Sequence, residues 1–207
     1  MKISYAITVC NEYEEIQKLI STLMLNTNGE DEVIVLFDKK AGTAEVWDYL
    51  VGLQSQDLIK AYPKTFKGHF GDWKNYLSSL CTGDFIFQID ADEYPNEHLL
   101  ESLPFILDAN KDVDVILVPR VNTVQGLTQE HITKWRWNVN DKGWVNWPDY
   151  QWRIYKNIPS VKWMNKVHER LDGFKEYATL PLEESYALYH PKKIERQEKQ
   201  NAYYDTL

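Results

Sequence analysis

The strongest constraint on this chain is an alternation that fills its first 120 residues. Short apolar, β-favouring runs are separated by stretches with helical spacing. "ISYAITVC" (3–10), "EVIVLF" (32–37), "LIKAYP" (58–63), "DFIFQID" (84–90) and "DVDVILVPR" (112–120) read as strands. Between them, "NEYEEIQKLISTLM" (11–24) has Asn11 as a candidate N-cap and Ile16, Leu19, Ile20 and Leu23 at helical spacing. "TAEVWDYLVGL" (43–53), "FGDWKNYLSSLCTG" (70–83, stopping at Gly83) and "NEHLLESLPFILDAN" (96–110, despite Pro104) are the other expected helices. Strands separated by helices favour an α/β fold with a mostly parallel central sheet covered on both faces. Such sheets bind ligands at the carboxyl ends of their strands. That rule lines up Cys10–Asn11–Glu12, Asp38 and Asp90–Asp92 along one edge.

After residue 120 the character changes. Aromatic and polar residues alternate in "HITKWRWNV" (131–139) and "QWRIYKN" (151–157), with "NDKG" (140–143) as a hairpin turn between them. "HPKKIERQEKQNAYYDTL" (190–207) is charged and reads as helical after Pro191. We therefore expect one domain with a nucleotide-type half (1–120) and an aromatic-rich, β-containing, substrate-shaping half (121–207). Trp135, Trp137, Trp144, Trp147, Trp152 and Trp163 fall close together, suiting either a surface that stacks sugars or the core of a β-rich half.

In "FIFQIDADEYP" (85–95) a buried-strand pattern runs into Asp90, Asp92 and Glu93. Residues two apart in an extended segment project to the same side, so Asp90 and Asp92 can converge on one point. A hard divalent cation, Mg2+ or Mn2+, would relieve their repulsion and leave positions for phosphate oxygens. A solvated strand-end turn or a helix cap is the plainer alternative for a bare D-x-D.

Several segments in the right order resemble glycosyltransferase family 2, whose nucleotide-sugar-binding domain has the Rossmann-like GT-A fold. "AITVCNE" resembles that family's opening strand, with Asn11 and Glu12 matching and Cys10 departing from the usual aromatic. "EVIVLFDKKAGT" resembles the second strand with its aspartate, Asp38, and "DWKNYLSSLCTGDFIFQIDADE" resembles the helix, strand and D-x-D block, with Lys74 and Asn75 before them. "WPDYQWRIYKN", "NKVHERL" and the terminal segment resemble a subset that includes bacterial lipopolysaccharide-core enzymes.

The resemblance implies sugar transfer, with inversion, from a nucleotide-diphosphate sugar, a UDP-sugar being favoured. Asp92, assisted by Asp90, would hold the metal, with His168 a further metal or diphosphate ligand. Asn11, Glu12, Asp38, Lys74, Asn75, Asp90, Arg153 and Lys193 would contact the donor. Inversion needs a carboxylate base for the acceptor's proton. Asp149 is preferred for its place ahead of Arg153, and Glu169 is the alternative. Arg153 reads either as a diphosphate clamp or as half of a structural ion pair. His190, Lys192, Lys193, Arg196 and Lys199 read either as a solvated face or as a flap over the diphosphate.

A formal net charge of −8 argues against a surface that tracks nucleic acid, although Lys162, Lys166 and Arg170 leave a modified DNA base as a possible acceptor. A glycan or lipid-linked glycan is favoured as acceptor. Cys10 and Cys81 are expected as buried thiols in a reducing compartment, not as a disulfide. No apolar run reaches the roughly 20 residues that span a bilayer, and the amino-terminal segment turns acidic too early for a signal peptide. A cytoplasmic protein is expected. A non-catalytic sugar-nucleotide-binding module is the competing function; a nucleotidyltransferase is more distant, because "VCNEYEE" lacks a glycine-rich loop.

Overall fold

The computed structural model describes residues 1–204, so the last three residues of the charged terminal segment lie outside the described residues. The expected alternation is present. β1 (Ile3–Val9), α1 (Tyr13–Asn26), β2 (Glu32–Asp38), α2 (Ala44–Gln54), β3 (Lys60–Lys64), α3 (Phe70–Ser78) and β4 (Phe85–Asp90) follow one another, then a short β5 (Tyr94–Pro95) and α4 (Glu97–Ala109). β6 (Val115–Val118), β7 (Arg120–Gln125), α5 (Gln129–Trp135), β8 (Gln151–Lys156), β9 (Lys162–Met164), β10 (Arg170–Asp172), β11 (Tyr177–Thr179), β12 (Leu188–Lys193) and α6 (Ile194–Tyr204) complete the chain.

A seven-stranded sheet in the order β11-β6-β8-β4-β1-β2-β3 forms the centre. Every pairing in it is parallel except those of β8, which runs antiparallel to β4 and to β6. All seven residues of β2 are buried, as expected for a strand covered on both faces. Its side chains alternate between two cores. Val33, Val35 and Phe37 join Phe85, Phe87 and Ile89 under α1, α2 and α4, while Ile34 and Leu36 join Ile86, Trp73, Leu77 and Trp163 on the α3 side. Each fully buried apolar side chain of this kind contributes about 1.5–3 kcal/mol.

A second sheet, β5-β12-β7, and the β9–β10 hairpin stand beside the carboxyl edge of the large one. The run 112–120 is two strands instead of one. Pro119, lacking an N–H, separates β6 in the large sheet from β7 in the small one.

Other expectations change. Residues 131–135 end a helix, because Thr128 and His131 form a reciprocal capping box; the chain then leaves the helix at Arg136, which is left-handed (φ 55°). A turn does lie at 140–143, closed by a Val139–Val145 bridge with Gly143 at φ 75°, but it does not join the two expected strands, because β8 pairs with β4 and β6. α3 ends at Ser78, and Gly83 serves packing instead. A Cβ there would lie 2.7 Å from the Ser4 backbone nitrogen. Asn11 does not cap α1. Glu12 holds the N-cap position and turns its carboxylate back to the Cys10 and Asn11 N–H groups at 2.8 and 3.0 Å. Lastly, β12 continues through Pro191, so the terminal helix begins only at Ile194.

Candidate active site

The carboxyl ends of β1, β2 and β4 open into a cleft of about 1000 Å3, closed on its other sides by α3, the β9–β10 turn, β7, β12 and the first turns of α6. Asn11, Glu12, Asp38, Lys74, Asp90, Asp92, Asp149, Arg153, His168 and Glu169 all line it. Asn75 and Lys193 do not. The Asn75 amide brackets Trp163, donating to its carbonyl at 2.8 Å and accepting from its N–H at 2.9 Å. Lys193 is exposed and its neighbour Lys192 is the cleft residue, because successive side chains of β12 point to opposite faces.

Seven charged side chains form one alternating chain across the floor. Glu169 Oε1 meets Lys74 Nζ at 2.7 Å, and Lys74 lies 3.6 Å from Asp90 Oδ1. Arg153 Nη2 donates to Asp90 Oδ2 (2.8 Å) and to Glu93 Oε1 (2.6 Å). Arg120 donates from Nη1 to the same Glu93 oxygen (2.8 Å) and from Nε and Nη2 to Asp149 Oδ2 (2.9 and 2.8 Å). The two candidate bases, Asp149 and Glu169, are thus the two ends of a single chain. Glu93 is fully buried at its centre. It is not a cleft residue; it holds two arginines, each of which reaches a carboxylate that is.

Asp149 also accepts from Asn122 Nδ2 (2.6 Å) on Oδ2 and from Gln151 Nε2 (2.9 Å) on Oδ1. Burial opposes its charge, but Arg120 and Asn122 outweigh burial and hold its carboxyl below the usual range. Asp90 is likewise buried, and Arg153 and Lys74 more than offset that cost. Asp38 spends Oδ1 on the Lys40 and Phe66 N–H groups, both at 3.0 Å.

Asp92 faces the terminal segment. His190 Nε2 lies 3.4 Å and Arg196 Nη2 3.5 Å from its Oδ2, and Arg196 continues to Glu12 (2.7 Å) and Glu15 (2.9 Å). The orientation of His190 can be deduced. The ionised Asp149 only accepts, so Asn122 presents its NH2 to Asp149 and its oxygen to His190 Nδ1, 2.7 Å away. Nδ1 therefore carries a proton. Burial pushes the imidazole below its ordinary value, against the pull of Asp92. Burial would raise the Asp92 carboxyl, but the attraction of His190, Lys192 and Arg196 outweighs it and holds the group well below the ordinary range. A divalent ion would have the Asp92 carboxylate and the His190 imidazole as ligands there, with its remaining positions open to phosphate oxygens. Among the described residues no three His, Cys, Asp or Glu side chains converge as a ready-made metal site. The expected ligand His168 lies on the β9–β10 turn, lining the cleft from another side.

Glu93, Arg120 and Asn122 are absent from the sequence-based site, and His190, Lys192 and Arg196 enter it only as a charged run. Arg120 and Asn122 could have been found from the period of two in "RVNTV", had the break at Pro119 been recognised.

Backbone strain marks the same region. Asn146, Asp149 and His168, with φ of 54°, 38° and 52°, are left-handed without being glycine, and all three line the cleft. Such residues cost of order 1–3 kcal/mol each and cluster at functional sites.

Among solved structures, the chain is similar to TarS of S. aureus. It matches the 1–349 fragment of TarS with a TM-score of 0.62 and 17% identity, over 92% of this chain and 60% of that one. The same fragment in complex with UDP-GlcNAc also matches with a TM-score of 0.62, at 17% identity, over 93% and 59%. A protein of Rickettsia felis described as an uncharacterized glycosyltransferase is 33% identical over 105 residues, 51% of this chain and 34% of its own length. This chain therefore spans about a third of that relative. The fold is the GT-A fold. With residues 4–181 matching the model of glycosyl transferase family 2, the chain belongs to that family.

Proposed function

We propose that the protein is an inverting, metal-dependent glycosyltransferase that moves a sugar from a nucleotide-diphosphate donor, a UDP-sugar being favoured, to a hydroxyl acceptor. The observation that carries this reading is the convergence of Asp38, Asp90 and Asp92 with Lys74 and Arg153 in one cleft at the carboxyl ends of parallel strands. The base and ribose lie against Asn11, Glu12 and Asp38. Lys74 and Arg153, held by Asp90 and Glu93, meet the diphosphate. Asp92 and His190 would hold a Mn2+ or Mg2+ ion, which when bound would neutralise charge on the leaving diphosphate.

Asp149 serves as general base. Its Oδ2 is saturated by three donated hydrogen bonds, whereas among the described residues Oδ1 accepts from Gln151 and has room for another proton. The acceptor oxygen bonds to the anomeric carbon as the bond from that carbon to the diphosphate oxygen breaks. The electron pair leaves with the diphosphate, and the hydroxyl proton passes to Oδ1. Glu169, ion-paired to Lys74 at the other end of the chain, is the alternative base.

Resemblance to lipopolysaccharide-core enzymes favours a glycan or lipid-linked glycan as acceptor. Two free thiols are consistent with a reducing cytoplasm, and among the described residues no helix is long and apolar enough to cross a membrane. The test is nucleotide release from a panel of UDP-, GDP- and dTDP-sugars with Mn2+, repeated in EDTA. Release from one donor class that stops in EDTA supports the reading. No binding or turnover of any donor overturns it, and full activity in EDTA overturns the metal.

A further inference from the structure

Tryptophan is the feature of this chain that the donor site does not absorb. Of the eight, Trp47, Trp73, Trp144, Trp147, Trp152 and Trp163 pack into or against the core clusters. Trp135 and Trp137 belong to none of these clusters, yet both line the cleft. They sit at and just after the end of α5, a helix that buries none of its own residues. Core packing does not account for them.

The backbone brings the pair together at a cost. In a continued helix, residues two apart do not face each other, so α5 must end for residues 135 and 137 to hold their rings in this relation. The left-handed Arg136 between them sets the ring centroids 4.6 Å apart, and Trp135 is braced further by His131, stacked at 5.1 Å. The bridges from Val145 to Val139 and to Asn122 tie this segment to the residue that orients Asp149. Within residues 136–149, Arg136, Asn146 and Asp149 are all left-handed, so one wall of the cleft concentrates the strain.

We propose that the Trp135–Trp137 wall is the acceptor subsite and that it takes a neutral sugar ring. This rests on the transferase reading and names the acceptor's chemistry. The face of an indole is negative, and the slightly positive axial C–H bonds of a pyranose complement it. The amides of Asn146, Gln197 and Asn201, in the same cleft, suit hydroxyl groups. A stacked nucleobase would also meet the indole, but its phosphates need an excess of Lys and Arg. Residues 129–150 hold three acids (Glu130, Asp141, Asp149) against three bases (Lys134, Arg136, Lys142). The wall has no basic excess to track a polyanion.

Saturation-transfer NMR on the full chain with UDP and Mg2+ tests this. The probes are methyl glucoside, galactoside, mannoside and N-acetylglucosaminide, and separately a short single-stranded oligonucleotide. Saturation of C–H protons on at least one glycoside is expected, with affinity reduced about tenfold in Trp137→Ala, as for loss of an aromatic anchor. Trp137→Leu keeps apolar bulk without the indole face and should lose the same signal, which covers the case of an alanine variant that fails to fold. The inference is overturned if no glycoside saturates, if the signal survives both substitutions, or if only the oligonucleotide binds. The ribose signals of UDP in the same spectra separate the two readings. Absent UDP binding refutes the donor site, and UDP binding without any glycoside signal refutes only the acceptor wall.

Discussion

At one edge the central sheet buries Glu32 and at the opposite edge it buries Glu93, and the two carboxylates are satisfied in contrasting ways. Glu32, at the start of β2, accepts from Ser4 (2.7 Å) and from the Thr82 N–H and hydroxyl (2.6 and 2.9 Å), with Lys60 at 3.0 Å. Its neighbours are the beginnings of β1 and β3 and the turn before β4, and the network ends there. Glu93 accepts from the Asp90 N–H on Oε2 (3.2 Å), but its Oε1 takes two arginines, Arg120 and Arg153, and each passes on to an aspartate in the cleft. A buried charge is therefore no mark of a site. What separates the edges is whether the charges end in packing or continue, acid to base, into an open cleft whose walls are strained. The amino-terminal edge is a clasp, and the carboxyl edge is a loaded surface.

If that contrast holds, the largest effect belongs to the end of the loaded chain. Asp149→Asn preserves size and most hydrogen bonds but cannot take a proton, so transfer should fall about 100- to 10,000-fold with little change in donor affinity. Glu169→Gln is the paired measurement. Collapse of Glu169→Gln with a near-normal Asp149→Asn would move the base to the Lys74 end of the chain.

Next in size is the same substitution made at both edges. Glu93→Gln leaves Arg120 and Arg153 facing one another without their shared charge, a loss expected to cost about 3–5 kcal/mol of folding stability. Glu32→Gln retains an acceptor for mostly neutral donors and should cost about 1–3 kcal/mol. Urea unfolding gives both numbers. Glu93→Gln should also weaken UDP binding, and Glu32→Gln should not. Equal losses at the two edges would dissolve the comparison.

The clasp and the loaded edge were not equally legible in the sequence. Periodicity revealed the strands and helices of residues 1–110, because "EVIVLF" and "FIFQI" must be buried on both faces, and the strand-end rule then gathered Asn11, Asp38 and Asp90. Past Pro119 the pattern misled. "HITKWRWNV" alternates like a strand but is capped as a helix, a choice made by the local hydrogen bonds of Thr128 and His131. Glu93 was visible as a carboxylate but not as the hub, since its partners lie 27 and 60 residues away and depend on β8 pairing with β4 and on β7 leaving the large sheet for the small one. Nor could spacing show which of Lys192 and Lys193 faces inward until β12 was known to run through Pro191.

The smallest effect is a pH dependence that isolates the clasp. Burial alone would raise the Glu32 carboxyl, but Ser4, Thr82 and Lys60 outweigh it and hold it at about 2. In the unfolded chain a glutamate titrates at about 4.3. Between these values the unfolded chain binds more protons than the folded one, so the stabilisation from Glu32 is complete above about pH 4.3 and is lost as pH falls toward the folded value. Asp90, Asp92 and Asp149 are held low as well, so the stability of the whole protein declines in acid and a single curve does not identify Glu32. The difference between wild type and Glu32→Gln does, because the site carboxylates are common to both. That difference should be flat from neutrality to about pH 5 and shrink steadily below it. The same subtraction with Asp149→Asn should also shrink in acid, but it should come with lost transfer at every pH, whereas Glu32→Gln keeps its activity where it keeps its fold. A Glu32→Gln difference that stays constant into acid would mean that the clasp holds its carboxylate no more tightly than water does.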